Sequence, residues 1–173
     1  MSVMKNKVVL CSDCAGNKAT VRIGNYHFSE CGLDTVLLQN IELHECPDCG
    51  NVDPVIPRVM SLLRVIALAV ITKKTPLTGQ EIKYLRKYSQ MSEDQFSKLL
   101  HTDKTTLSKW ENGAIKIGSK SDLLIRAITL QIGPGLKEDA ESVIRTFASI
   151  DESSTMQPKR LEVQSDTLKY AYA

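Results

Sequence analysis

Four cysteines in two close pairs are the residues of this 173-residue chain best suited to chemistry. Cys11-Ser-Asp-Cys14 and Cys46-Pro-Asp-Cys49 each form a Cys-x-x-Cys knuckle, and thirty-one residues lie between them. The two-residue spacing lets one tight turn aim both sulfurs at a single ion. Backbone N–H groups in that turn bond to the thiolates and offset their charge. Pro47 and Gly50 suit such a turn. Four thiolates close a tetrahedral shell and leave no position for water. The expected ion is therefore a structural Zn2+ held by Cys11, Cys14, Cys46 and Cys49. The competing reading is a redox pair or two unrelated thiol pairs. His27, His44 and Cys31 are the substitute ligands, and Cys31 is most simply a buried free thiol. An odd count of five cysteines, in a chain whose first ten residues lack a signal-like apolar stretch, argues against a disulfide framework.

The second chemistry is recognition of a polyanion. The net charge of +2 hides a partition. Residues 1–57 carry four Lys/Arg and seven Asp/Glu, a net −3; residues 58–132 carry thirteen and six, a net +7. Residues 133–173 carry five and seven, a net −2. A basic middle between acidic ends suits nucleic acid, although a solvated helical surface would look the same.

Inside that middle, Met91 to Gly113 reads as two short helices at a sharp angle, with Phe96, Leu99, Leu100, Leu107 and Trp110 holding them together. Thr102 sits in the turn and Asp103 caps the second helix. Lys104, Thr105, Thr106, Ser108 and Lys109 are then left facing outward. A helix of this kind fits the major groove of double-stranded DNA, where lysines reach phosphates or guanine edges and threonines reach bases. An ordinary helical hairpin with a solvated polar face is the alternative.

The same stretch resembles, without a gap, the Xre (Cro and lambda-repressor-like) helix-turn-helix. Leu107-Ser-Lys-Trp-Glu-Asn-Gly113 is its most specific part. Glu93 stands where that family usually has a phosphate-contacting Gln. Ser97 is the small residue at the helix crossing, and His101 replaces the usual turn glycine. A four-cysteine knuckle region ahead of such a domain resembles the MqsA-family antitoxins (YgiT-type zinc-finger/helix-turn-helix regulators) over residues 8–132. That resemblance implies zinc on Cys11, Cys14, Cys46 and Cys49. It also implies base reading by Thr105 and Lys109 with Lys104 and Thr106 beside them, a dimer on DNA, and a toxin protein as partner. Trp110 is read as structural.

The elements that must position these residues follow from local signals. Short strands are expected at Val8–Leu10, Thr20–Ile23, Tyr26–Ser29, Asp34–Leu38 and Ile41–His44, with a turn at Gly16 and hairpin turns at Gly24-Asn25 and Gln39-Asn40. After Pro57 the composition becomes helical. Val59–Thr72 is apolar nearly all round and should be buried. Thr78-Gly-Gln-Glu81 and Ser92-Glu-Asp-Gln95 are capping boxes that open two helices. Lys104–Glu111 follows Asp103, and a further helix is capped by Ser119 or Ser121 and ends near Gly133-Pro134-Gly135. Leu136–Ile150 is a fifth candidate. Asp151–Pro158 reads as linker, and Arg160–Gln164 alternates like a lone strand.

The expected architecture is α+β. A small β-rich zinc domain (1–57) precedes an all-α helix-turn-helix domain (58–150) and a linker with C-terminal tail (151–173). The apolar surplus of Val59–Thr72 and Leu136–Ile150 is offered as a subunit contact through Leu63 and Val143, unless both helices simply pack on their own domain.

A composition of 42% hydrophobic and 24% charged residues excludes wholesale disorder. The longest apolar run, Leu62–Ile71, contains Arg64 and is too short for a bilayer, where about 20 apolar residues are needed. A cytoplasmic protein is expected. No Ser/His/Asp set, phosphate loop or open metal site suggests an enzyme, and Glu138 with Glu141 is better read as a solvated face. The expected function is a homodimeric, sequence-specific repressor on a palindromic operator, the antitoxin of a type II toxin–antitoxin pair. The alternative is a stand-alone regulator, or an interaction module whose zinc domain binds a partner protein.

Overall fold

A computed structural model describes residues 9–14, 18–150 and 159–173. Val8, the turn expected at Gly16 and the linker expected at Asp151–Pro158 lie outside the described residues. The chain is mixed α+β, with six strands in one sheet and six α-helices among the described residues. The strands are β1 (Val9–Leu10), β2 (Lys18–His27), β3 (Val36–Glu45), β4 (Val52–Val55), β5 (Leu161–Gln164) and β6 (Tyr170–Tyr172). The helices are α1 (Val59–Thr72), α2 (Gly79–Tyr88), α3 (Glu93–Leu99), α4 (Lys104–Glu111), α5 (Ser119–Ile132) and α6 (Ala140–Ile144).

The two expected hairpin turns are not turns. β2 and β3 are single ten-residue strands paired antiparallel, and the register shifts between Gly24 and Tyr26. Opposite that shift Asn40 takes a left-handed φ of 55°. The cause lies in the side-chain pattern. Val36 and Leu38 point into the core, and so do Ile41 and Leu43. A strictly alternating strand would turn one pair outward; an extra residue at Asn40 restores the parity. The bulge frees carbonyls, and Ser165 Oγ donates to Gln39 O and Asn40 O, each at 3.1 Å.

Ser165 belongs to the segment that the sequence leaves as a tail. Residues 161–164 are not a lone strand: β5 runs parallel to β3, pairing Val36–Gln39 with Leu161–Gln164, and β6 pairs antiparallel with β5. Leu161 and Val163 are buried alongside Val36 and Leu38. One contiguous apolar core extends from these strands through α1 to the remaining helices.

α1 has the bounds its composition predicts. Leu62, Val65, Ile66, Ala67, Ala69, Val70 and Ile71 are all buried within the chain. Most of its apolar surface is therefore used internally, while Val59 and Met60 at its start stay exposed, and Leu63 and Val143 pack against the same core. Leu136–Ile150 is not one helix: α6 is flanked by 3-10 turns at Lys137–Asp139 and Arg145–Ser149. No helix among the described residues is long and apolar enough to cross a membrane.

Three of the expected caps are made. Thr78 and Ser92 form reciprocal capping boxes with Glu81 and Gln95. Asp103 Oδ1 accepts the Thr106 N–H at 2.7 Å. Gly118 occupies the cap position of α5, with no side-chain bond, so neither Ser119 nor Ser121 caps it. α2 meets the end of α4 at Gly79, where a Cβ would lie 2.5 Å from Glu111 O and 2.6 Å from Trp110 O. Only glycine permits that approach.

Buried ion pairs lock the helices. Arg86 of α2 grips Glu111 of α4 bidentately at 2.6 and 2.8 Å and also donates to Met91 O. Arg126 of α5 is fully buried and pairs with Asp122 at 2.5 Å. Its guanidinium also donates to Ile71 O, Lys73 O and Thr75 O at 2.7, 2.9 and 2.8 Å. It thereby satisfies carbonyls left without partners at the end of α1. Asp122 in turn accepts the Leu77 N–H at 2.6 Å.

Candidate metal centre and nucleic-acid interface

The four knuckle cysteines converge beside the strands. Their sulfurs all lie within 4.8 Å of one another, with Cys11 to Cys49 at 3.7 Å and Cys14 to Cys46 at 3.9 Å. A tetrahedral thiolate shell with metal–sulfur bonds of about 2.3 Å has sulfur–sulfur edges of about 3.8 Å. The spacing is thus what a four-coordinate metal ion demands, and the four residues could hold one.

The turns around them are built for negative sulfur. Backbone N–H groups of Asp13 and Cys14 both point at Cys11 Sγ at 3.4 Å. Backbone N–H groups of Cys49 and Asp48 bring the Cys46 thiol down to about 7. Cys14 is pushed up, first by its contact with Cys49 and then by desolvation. Gly50 takes φ +73°, and its N–H donates to Cys46 O at 3.0 Å, closing the second knuckle. A polar latch ties the two knuckles: Ser12 Oγ donates to Asp53 Oδ2 at 2.8 Å, and Asn51 Nδ2 donates to Ser12 Oγ and Asp53 Oδ1, each at 3.1 Å. Asp53 lies on β4, so the latch fixes the knuckles to the sheet.

The three substitute ligands are engaged elsewhere. His27 Nε2 meets Asp34 O at 2.5 Å, and His44 Nε2 meets Glu42 at 2.8 Å. Cys31 is half-buried, with its thiol donating to Phe28 O at 3.0 Å and burial pushing it up to about 11.

α3 and α4 surround the second site. The turn between them closes with Thr102 N–H donating to Ser97 O and His101 N–H to Lys98 O, at 3.0 and 3.1 Å. This is a Schellman motif, and it places His101 at φ +50°. Ser97 is buried at the crossing. Phe96, Leu100 and Leu107 are buried as well, while Leu99 is exposed and Trp110 packs partly against the core.

Of the five residues expected to face outward, Lys104, Thr105 and Lys109 are exposed. Thr106 and Ser108 are half-buried and already bonded. The Thr106 hydroxyl donates to Asp103 Oδ2 at 2.6 Å, and Ser108 Oγ accepts from Asn112 Nδ2 at 3.3 Å. A shallow groove of about 360 Å³ runs along Lys104, Thr105, Ser108 and Lys109 and is completed by Glu93, Asn112 and Ala114. Asn112 escaped the sequence reading as a groove residue, although its four-residue spacing from Ser108 places both on one helix face. Glu93 stands 3.9 Å from Lys104 and 3.8 Å from Arg86.

The charge partition survives folding. Between residues 58 and 132, Lys73, Arg86 and Arg126 are buried with Glu81, Glu111 and Asp122 as partners. Removing three pairs leaves ten cations against three carboxylates in that segment. No family model matches the chain, and no curated protein or solved structure matches it either.

Proposed function

We propose that this protein is a sequence-specific DNA-binding repressor whose four-cysteine centre holds a structural Zn2+. One observation carries the DNA reading. α4 is clamped from behind by Leu107 and the Arg86–Glu111 pair, and it presents Lys104, Thr105 and Lys109 to solvent beside an open groove. A helix so held, in a segment of strong positive charge, suits entry into the major groove. Four thiolates with no open position favour zinc in a structural role. By resemblance of motif order, the chain is the antitoxin of a type II toxin–antitoxin pair and represses its own operon as a homodimer on a palindrome. Leu124 and Ile132 are exposed eight residues apart on one face of α5, which supports a subunit contact there. A second reading, an interaction module that binds a partner protein, is favoured by exposed Leu10, Val21 and Ile23 on the strands.

The test is a gel shift with DNA from upstream of the protein's own gene. Two protomers should bind one palindromic site, and random DNA should bind far more weakly. Thr105→Ala should cost about 1–3 kcal/mol on the specific site and little on random DNA. Equal losses on both would mean that Thr105 reads no base. Absence of any shift would leave the interaction-module reading in possession.

Glu93 yields a separate expectation. Its carboxylate sits in the groove and neutralises Lys104. Glu93→Gln should tighten binding several-fold on every sequence and steepen the slope of log affinity against log salt by about one. Titrations at three salt concentrations measure this. An unchanged slope would place Glu93 off the path of the phosphates.

A further inference from the structure

A cavity of about 300 Å³ lies far along the chain from the cysteines and from α4. It is lined by Thr72, Lys73, Lys74, Thr75 and Glu81 at the α1–α2 junction, and by Lys159, Tyr170 and Tyr172 from the C-terminal strands. Neither proposed activity uses it. Its volume is at the lower end of small-molecule sites.

The lining names the chemistry. Lys73 is buried and held by Glu81 at 2.5 Å; burial pulls its ammonium down while Glu81 supports it. Lys74 and Lys159 are exposed at the rim and have no carboxylate partner among the described residues. The site therefore carries an excess of positive charge. Tyr170 and Tyr172 supply aromatic surface, and the Tyr170 hydroxyl is taken by Thr72 Oγ1 at 3.0 Å. The Tyr172 hydroxyl is buried and has no hydrogen-bond partner among the described residues. Being closed to solvent, that oxygen does not face the cavity, and the two tyrosines offer a ligand aromatic surface alone.

We propose that this cavity binds a small aromatic monocarboxylate, with its ring against the tyrosines and its carboxylate among the lysines. A larger polyanion does not suit it, because the cavity is small and Glu81 occupies one wall. An aliphatic acid of acetate size would leave the aromatic surface unused. The proposal does not depend on the DNA reading.

The experiment is calorimetric titration of the full-length, metal-loaded protein with benzoate. Acetate (no ring) and benzyl alcohol (no charge) serve as comparisons. Benzoate should saturate one site per chain, with acetate and benzyl alcohol at least about tenfold weaker. Tyr170→Ala removes one ring from the wall and should weaken benzoate about tenfold. Lys74→Met with Lys159→Met, both exposed and outside the core, should weaken it several-fold even if the Tyr170 variant proves unstable. No saturation by benzoate, acetate binding as tightly as benzoate, or variants that leave affinity unchanged would each overturn the proposal.

Discussion

Cys46→Ser should abolish metal retention and unravel the knuckle end of the sheet, while the core-facing half of the same sheet stays folded. A structural four-thiolate zinc contributes on the order of 10 kcal/mol to the elements that it joins. The joined elements are the turns at 11–14 and 46–51, β1 and β4, which bury little else. Val36, Leu38, Ile41 and Leu43 of β3 belong instead to the core shared with α1 and β5. The loss should therefore stop near the bulge at Asn40. Native mass spectrometry should find no bound metal in the variant. Proteolysis should cut on the N-terminal side of β3 and around residues 46–55, leaving residues 58–150 intact. A fully metallated variant, or cleavage spreading through α2–α5, would show that the cysteines are not an autonomous staple.

Arg126→Met should be the most destabilising single change in the helical part. The substitution leaves the Asp122 carboxylate buried without its cation, and it strips the donor from Ile71 O, Lys73 O and Thr75 O. Breaking a buried pair from one side costs about 3–5 kcal/mol. At this chain length that corresponds to a fall of roughly 10 °C or more in Tm. Asp122→Asn combined with Arg126→Met should lose less than Arg126→Met alone. The amide oxygen can still accept the Leu77 N–H, and no charge remains buried. Urea denaturation of the metal-loaded protein measures both variants. A cost below about 1 kcal/mol for the single change would mean that water replaces the guanidinium, contrary to its complete burial.

The sequence by itself determined what depends on neighbours a few residues away. Cys-x-x-Cys spacing commits two sulfurs to one turn. The caps at Thr78, Ser92 and Asp103 each need only a side chain and an N–H three residues on, and all three were legible. The bounds of α1 were legible because its apolar run ends in a lysine-rich, proline-terminated segment. The missing cap at α5 shows the limit of such reading: Ser119 and Ser121 have the right chemistry, but Gly118 takes the cap position instead.

Only the tertiary structure decided which remote segments meet. A bulge at Asn40 is invisible in local propensity, because it exists to keep Ile41 and Leu43 on the core face once Val36 and Leu38 are there. Residues 160–164 alternate like any edge segment, and nothing within them names β3 as their partner; the free edge that β3 offers does. Arg126 counts as one more surface cation in a charge inventory until α1 ends against it. Burial then makes its guanidinium a donor for three carbonyls more than fifty residues away in sequence. The sequence encodes hydrogen-bonding capacity; which remote groups must use it is settled by what the fold removes from water.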